Sequence, residues 1–335
     1  MYAARAVASL LFSFFMLASA FAQTASLDQP HITPLEKAPR GKTADIASAE
    51  YASPFTGGGL IHARSDLVLV PVSITDDLNR AVVGLNRENF QLFENKKPQQ
   101  IRNFSSEDTP VSIGIIVDTS GSMSSKLDRA REAVRRFCDV ANPQDEFFLI
   151  TFSDAPHLVT DFTQRPENIE GDLITTQPKG KTALLDAIYM GIQKLHNAKY
   201  KRKALLVLSD GGDNHSRYNE RQIRNAVRES DVTIYAVGTY ERYVTTQEEL
   251  LGPELLSTLT RETGGQAFVL SNVNEMPQVT QAIGTQLRHQ YVLAYTPQSA
   301  SRDGRWHKIS VKLRLPKKFL FLHVDARAGY YADQD

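Results

Sequence analysis

Between Val111 and about His289, apolar runs alternate with stretches of helical periodicity. Val111 to Val117, broken only by Ser112 and Gly114, predicts a buried strand. Leu127, Ala130, Val134, Phe137 and Cys138 then share one face of a helix. Phe147 to Phe152 predicts a second strand, paired through a turn at Asp154-Ala155-Pro156 with His157 to Thr160. After Thr182, residues Leu184, Ile188, Ile192 and Leu195 fall at helical spacing, and Ala204 to Leu208 and Val232 to Val237 are two further apolar strands. A helix stops at Thr263-Gly264-Gly265, where glycine suits a C-terminal cap. Ala267 to Leu270 and a last helix, roughly Asn274 to Leu287, complete the set. This alternation predicts an α/β fold, a doubly wound and mostly parallel sheet covered on both faces.

The flanks have a different period. Leu67 to Thr75 is a β-branched run closed by turn-forming Asp76-Asp77-Leu78-Asn79-Arg80. Phe90 to Glu94 follows, then a turn at Asn95-Lys96-Lys97-Pro98 and a short strand through Ile101. Beyond Gln290, Tyr291 to Tyr295 is one strand. Ile309, Val311, Leu313 and Leu315 alternate with Lys308, Ser310, Lys312 and Arg314 in another, and Phe319 to Val324 forms a third after a turn at Pro316-Lys317-Lys318. Three strands cannot bury a core alone. The two flanking β-strand blocks are therefore expected to join in one β-sandwich-like domain, with the α/β domain inserted between them. The expected layout is residues 60–109 for the N-terminal block, 110–289 for the α/β domain and 290–335 for the C-terminal block.

Residues 1–22 read as an export signal. Arg5 precedes an apolar run from Ala6 to about Ala18, and Ser19-Ala20-Phe21-Ala22 supplies small residues for cleavage between Ala22 and Gln23. The run is too short to span a bilayer well. The expected location is extracytoplasmic, either periplasmic or secreted. Residues 23–59 hold Pro30, Pro34, Pro39 and Pro54, show no apolar periodicity and end at Gly57-Gly58-Gly59, the pattern of a disordered tether.

Composition narrows the chemistry. Lys+Arg and Asp+Glu each number 38 in 335 residues, which removes the electrostatic footprint of a nucleic-acid binder. The single cysteine, Cys138, forbids an intramolecular disulfide and a cysteine-based zinc cluster, and the eight histidines lack metal-ligand spacing. On an apolar helix face, Cys138 is expected to be buried and inert.

Three clusters sit where strands or loops feed helices: Asp118-Thr119-Ser120-Gly121-Ser122-Met123, Gly180-Lys181-Thr182-Ala183 and Ser209-Asp210-Gly211-Gly212-Asp213-Asn214. In open α/β sheets ligands bind beyond the carboxyl ends of strands, where the strand order reverses. In a 3-2-1-4-5-6 order, the strands ending at Asp118 and Asp210 are neighbours there. Carboxylates and hydroxyls without imidazole or thiol suit a hard cation, Mg²⁺ first, then Mn²⁺ or Ca²⁺. Each cluster taken singly also fits a plainer use: Ser122, Ser124, Ser125 and Thr182 as helix caps, Asp213 and Asn214 as turn residues. Asp186 suits a helix dipole, His215 a solvated loop and Trp306 packing at a strand start.

Asp-x-Ser-x-Ser after the first strand, a later Thr and a later Asp-Gly resemble the metal-ion-dependent adhesion site of von Willebrand factor A domains, over about Val111 to Leu287. The whole chain after the export signal further resembles the bacterial VWFA-related family first described from Acidobacteria. That likeness rests on Leu67 to Asp76, on Phe90, Glu94, Gln100 and Ile101, and on the closing Arg-x-Gly-Tyr-Tyr at Arg327 to Tyr331. It implies a Rossmann-like fold with Ser120, Ser122 and Thr182 as hydroxyl ligands, and Asp118 and Asp210 binding metal directly or through water. A partner's Glu or Asp carboxylate would complete the shell. Where the family usually has Gly-Gly-Thr-Ala-Leu, this chain has Lys181 before Thr182.

Two uses compete with a third. The cation could dock a protein partner's carboxylate in adhesion or assembly, or activate water for hydrolysis; without metal, the chain would be a scaffold of the cell envelope. Hydrolysis needs a general base or charge-stabilising group, for which only Lys181 and His215 offer themselves, so binding without enzymatic activity is the expected function.

Overall fold

The computed structural model describes residues 67–210, 212–240, 247–297, 303–315 and 321–332. The expected export signal at 1–22, the tether at 23–59 and the turn at 316–318 lie outside the described residues.

The inserted domain is built on a six-stranded sheet. Its strands are β5 (Ser112–Asp118), β6 (Glu146–Phe152), β7 (Pro156–Thr163), β8 (Lys203–Ser209), β9 (Val232–Thr239) and β10 (Ala267–Leu270), in the order β10-β9-β8-β5-β6-β7. All neighbours are parallel except β7, which returns antiparallel to β6. Strands β5 and β6 are buried along their whole length, as their near-continuous apolar sequences require in a sheet covered on both faces.

Helices α1 (Leu127–Cys138), α2 (Pro166–Ile174) and α6 (Met276–Arg288) close one face around Ile113, Ile115, Val117, Phe137 and Leu206. Helices α3 (Leu184–Leu195), α4 (Glu220–Glu229) and α5 (Gln247–Thr263) close the other around Ile116, Phe148, Ile188, Leu205 and Val207. Gly264 follows α5 with φ +81, the left-handed backbone that a glycine cap supplies at little cost. Cys138 is buried in the first core, which pushes its thiol up to about 12 and keeps it protonated.

The flanks supply β1 (Val68–Thr75), β2 (Phe90–Glu94), β3 (Lys97–Gln99) and β4 (Asn103–Ser105), and β11 (Tyr291–Tyr295), β12 (Trp306–Leu313), β13 (His323–Ala326) and β14 (Gly329–Tyr331). They form two four-stranded antiparallel sheets, β13-β1-β11-β4 and β14-β12-β2-β3. Each sheet takes strands from both flanks, and Val70, Val72, Phe90, Leu92, Tyr291, Leu293, Tyr295 and Ile309 fill the space between them.

Some local expectations change. The turn after β2 is tighter than four residues: Asn95 and Lys96 both have positive φ (46 and 68), so these two residues alone reverse the chain and Lys97 and Pro98 already pair in β3. The short strand expected through Ile101 ends at Gln99, and the strand expected at 319–324 is His323–Ala326. Helices α2 and α4 and strands β4 and β14 have no counterpart among the elements the sequence pattern predicts; α4 has only Ile223 and Val227 as buried anchors, too thin a stripe to stand out in sequence.

The sandwich attaches at the amino ends of the parallel strands. Arg202, just before β8, donates to the carbonyls of Thr109 and Leu287 at 2.5 Å and to Gln290 Oε1 at 3.1 Å. Gln290 Nε2 in turn donates to Ser73 Oγ and to the Tyr235 hydroxyl, each at 3.1 Å. Arg327 pairs with Asp231, just before β9, and Gln266, just before β10, donates to Asp325, both at 2.6 Å. The carboxyl pole of the sheet is left clear of these contacts. Among the described residues, no helix is long and apolar enough to cross a membrane.

Candidate metal centre

At the carboxyl pole, β5 and β8 end side by side with Asp118 and Ser209 as their last residues. Asp118 is fully buried. Its Oδ1 accepts the Ser120 N–H at 2.8 Å and its Oδ2 the Ser209 hydroxyl at 2.6 Å. Burial pushes its carboxyl up to about 6, against the opposing pull of those hydrogen bonds. At neutral pH the group is an anion in a place that disfavours one.

The chain then turns through a short 3₁₀ helix, Gly121–Ser125, pinned by the buried side chain of Met123. Thr119 ties this turn to β6 by donating both N–H and Oγ1 to the Phe152 carbonyl. Ser122 does not cap α1: its hydroxyl donates across the sheet to Asp210 Oδ1 at 2.8 Å and lies 3.0 Å from Ser120 Oγ. A hydroxyl has one proton and two lone pairs, so donating to Asp210 leaves Ser122 able to accept a cation. Ser124 instead folds back onto the Gly121 carbonyl, a local turn bond.

The second cluster is held against the first. Lys179 N–H donates to the Thr119 carbonyl at 2.8 Å, and Gly121 N–H to the Gly180 carbonyl at 3.1 Å. Gly180 has φ +83, and a Cβ there would stand 2.6 Å from the Asp154 carboxylate, so this loop demands glycine. Thr182 is buried and is not the cap of α3, a position held by Ala183. Its N–H donates to Asn214 Oδ1 and its carbonyl accepts the N–H groups of Asn214 and His215; among the described residues no hydrogen bond holds its hydroxyl. Lys181 is exposed, with its N–H on Asp154 Oδ1 at 2.9 Å.

Two nearby residues escaped sequence reasoning. Lys126 Nζ pairs with Asp210 Oδ2 at 2.7 Å, the lysine side chain 13% exposed and the aspartate 0%. Its only trace in the sequence is its place four residues after Ser122, and the contact spans 84 positions. Tyr240 follows the carboxyl end of β9, a placement that could have flagged it; its hydroxyl is buried without a hydrogen-bond partner among the described residues. Asp186 does more than favour a helix dipole: it accepts the N–H groups of Arg217 and Tyr218 and the Arg217 guanidinium, clamping the loop after Asp210 onto α3. His215 is exposed, and Trp306 packs edge-on against Tyr331.

Among the described residues no group of three His, Cys, Asp or Glu side chains could hold a metal. The donors gathered here are of another kind, two carboxylates and neighbouring serine hydroxyls, a set that fits a small hard cation. The fold and this pole define the class, a doubly wound α/β domain with an all-oxygen site at its topological switch point. Residues 113–212 match the family model described as von Willebrand factor type A domain, and that stretch of the chain carries a von Willebrand factor A domain. Inter-alpha-trypsin inhibitor heavy chain H4 of Homo sapiens is 28% identical over 169 residues, 46% of this chain. The chain spans under a fifth of the length of the curated relatives it matches, 18% of that protein and 15% of the Bos taurus one. Similar solved structures include a von Willebrand factor type A protein from Catenulispora acidiphila (TM-score 0.48, 14% identity, 81% of this chain and 64% of that one). Another is BatB from Bacteroides thetaiotaomicron (TM-score 0.43, 17% identity, 52% and 98%).

Proposed function

We propose that this chain is an exported protein-binding module of adhesion or assembly whose carboxyl pole uses a divalent cation, Mg²⁺ in the first instance, to capture a Glu or Asp carboxylate of a protein partner. The observation that carries this reading is the linked set Asp118, Ser120, Ser122 and Asp210, in which the Ser120 N–H is on Asp118, the Ser120 and Ser122 hydroxyls touch, and Ser122 bonds Asp210 88 residues away. Caps and turns bond locally; Ser122 bonds across the sheet.

In this reading Ser120, Ser122 and Thr182 present hydroxyl lone pairs, and Asp118 and Asp210 supply negative charge directly or through water. When bound, Mg²⁺ supplies a Lewis-acidic position open to a partner oxygen. The 3₁₀ turn and the Gly180 loop hold the donors in place before any partner arrives, which lowers the ordering cost of binding. Hydrolysis would need a base beside the oxygen cluster; His215 is exposed, with its N–H on the Thr182 carbonyl, and Lys181 is solvent-facing, so binding is the stronger reading.

The test is affinity capture with residues 23–335 as bait, in Mg²⁺ and in EDTA, alongside Asp118→Ala. Partners recovered in Mg²⁺ and lost in both EDTA and the folded variant would support the proposal. Partners recovered equally under all conditions would leave an unmetallated scaffold.

A further inference from the structure

The outer face of the β14-β12-β2-β3 sheet belongs neither to the sandwich core nor to the carboxyl pole. Phe90, Leu92 and Ile309 point into the sandwich, so Gln91 and Phe93 of β2 and Lys308, Ser310 and Lys312 of β12 point away from it. Arg314 follows in the same alternation. Pairing sets Phe93 opposite Ser310, and Tyr331 opposite Trp306. Lys308, Lys312 and Arg314 are exposed, and Tyr331 is 37% exposed.

This face is basic without local compensation. The only carboxylate in its four strands, Glu94, points inward onto His307. Among the described residues, Lys308, Lys312 and Arg314 form no ion pair. Aromatic rings lie between the cations. Lys312 Nζ stands 5.3 Å from the centroid of the Phe93 ring, and Trp306 meets Tyr331 edge-on at 5.1 Å. A Cβ on Gly329 would come within 2.6 Å of the indole, so glycine lets Trp306 rest on bare backbone and brace Tyr331. Outward positions recur every ~7 Å along a strand. From Trp306 to Arg314 the row reads ring, ammonium, ring, ammonium, guanidinium over about 27 Å.

We propose that this face binds a linear acidic polysaccharide, with Tyr331 and Phe93 stacking on sugar rings and Lys308, Lys312 and Arg314 pairing with its carboxylates. A row of alternating rings and single cations complements a chain of alternating apolar faces and single anions. A uronic-acid polymer has that chemistry: each pyranose turns C–H groups to the negative face of an aromatic ring and carries a carboxylate at its edge. A carboxylate that draws the Lys312 ammonium aside uncovers Phe93 for the neighbouring sugar. A bilayer fits less well, because half-buried rings do not reach in among acyl chains. The overall balance of 38 basic and 38 acidic residues does not suit the denser charge of a nucleic acid. The site needs no metal, so it stands or falls separately from the cation-dependent reading.

The experiment is affinity electrophoresis of residues 23–335, in EDTA, through gels holding polygalacturonate, its neutral methyl ester, or hyaluronate. Wild type should be retarded by at least one of the two acidic polymers and not by the ester. Replacing Lys308 and Lys312 together by Gln should weaken binding about ten-fold, and replacing both by Arg should preserve it. Tyr331→Ala should weaken binding about five-fold in low and high salt alike, since stacking is not screened. Circular dichroism checks the fold of each variant, and Arg314→Gln repeats the neutral test should the double variant fold poorly. Wild type that passes both acidic polymers freely, or binds the ester equally, overturns the proposal. So does a folded neutral variant that binds like wild type. Tighter binding to phosphatidylglycerol vesicles or single-stranded DNA than to either polymer would also overturn it, and would give the face to a membrane or a nucleic acid.

Discussion

Two buried polar clusters in this molecule each set carboxylates beside a cation and differ in character. In the sandwich, Glu94, Asp303 and His307 combine two carboxylates with one cation. His307 Nδ1 donates to Glu94 Oε1 at 2.5 Å and its Nε2 to Asp303 Oδ1 at 3.1 Å, while the Tyr330 hydroxyl donates to Glu94 at 3.1 Å. A carboxylate on each ring nitrogen requires the imidazolium, the only form with two donors. Burial pulls the His307 pKa down, but the hydrogen bonds to Glu94 and Asp303 raise it by more. The cation sits between its two acids, and the surplus negative charge rests on partly exposed Asp303. At the carboxyl pole, Lys126 is on Asp210, while Asp118 is fully buried and accepts from the Ser120 N–H and the Ser209 hydroxyl. The first cluster sets a cation against both of its carboxylates; in the second, the described donors to Asp118 are all neutral.

Cutting the chain tests the first cluster most severely. Removing residues 290–335 takes away His307, Tyr330 and four of the eight sandwich strands, and leaves Glu94 without its partners. The remaining strands β1 to β4 should become sensitive to protease, read by limited digestion and mass spectrometry. Continued protection of 67–105 would show that these strands are stable without their partners.

Glu94→Ala should cost about 3–5 kcal/mol at pH 6, because it removes the buried carboxylate on Nδ1 of the imidazolium and leaves only the longer Asp303 contact on its ring. The loss should shrink toward pH 8.5. A histidine whose folded pKa is raised contributes stability in full below the unfolded value near 6.5, and that contribution fades as pH climbs through the folded one. Urea unfolding at the two pH values reads both effects.

Asp118→Asn should act in the opposite direction. A carboxyl raised from 3.8 to about 6 on folding binds protons better in the native state, so native stability falls as pH rises from about 4 to 6. In EDTA at pH 7.5 the asparagine variant should therefore gain up to about 3 kcal/mol over wild type, with no gain at pH 4. A loss of stability at pH 7.5 would mean that Asp118 is as well compensated as Glu94. The smallest effect belongs to Lys181→Gly: removing an exposed charge should tighten Mg²⁺ binding about two-fold, and the gain should fade in high salt. Calorimetric titration at two salt concentrations decides it.

The sequence carried the architecture of the inserted domain because its strands are buried on both faces. Runs such as Val111 to Val117 and Ala204 to Leu208 have no solvent side to interrupt them. The three oxygen-rich clusters were readable because each follows directly on a strand or opens a helix. The chemistry between them was less so. Ser122 looks like a cap in sequence, and only the fold turns it toward Asp210. Lys126 looks like one more charge before a helix; its partner is 84 residues away, beyond any local periodicity. In the flanks the strands could be read, but not their pairing: β1 lies between β11 and β13, both from the far end of the chain.

The antiparallel pairing of β1 with β11 has a mechanical consequence. Val68 opens β1 opposite Tyr295, while Tyr291, at the other end of the shared ladder, leads back through Gln290 into the inserted domain. A tensile load entering at residue 67 and leaving through a partner at the carboxyl pole would pull the two strands along their length in opposite directions. All five paired positions from Val68 to Val72 then resist together in shear, instead of opening one after another like a zip.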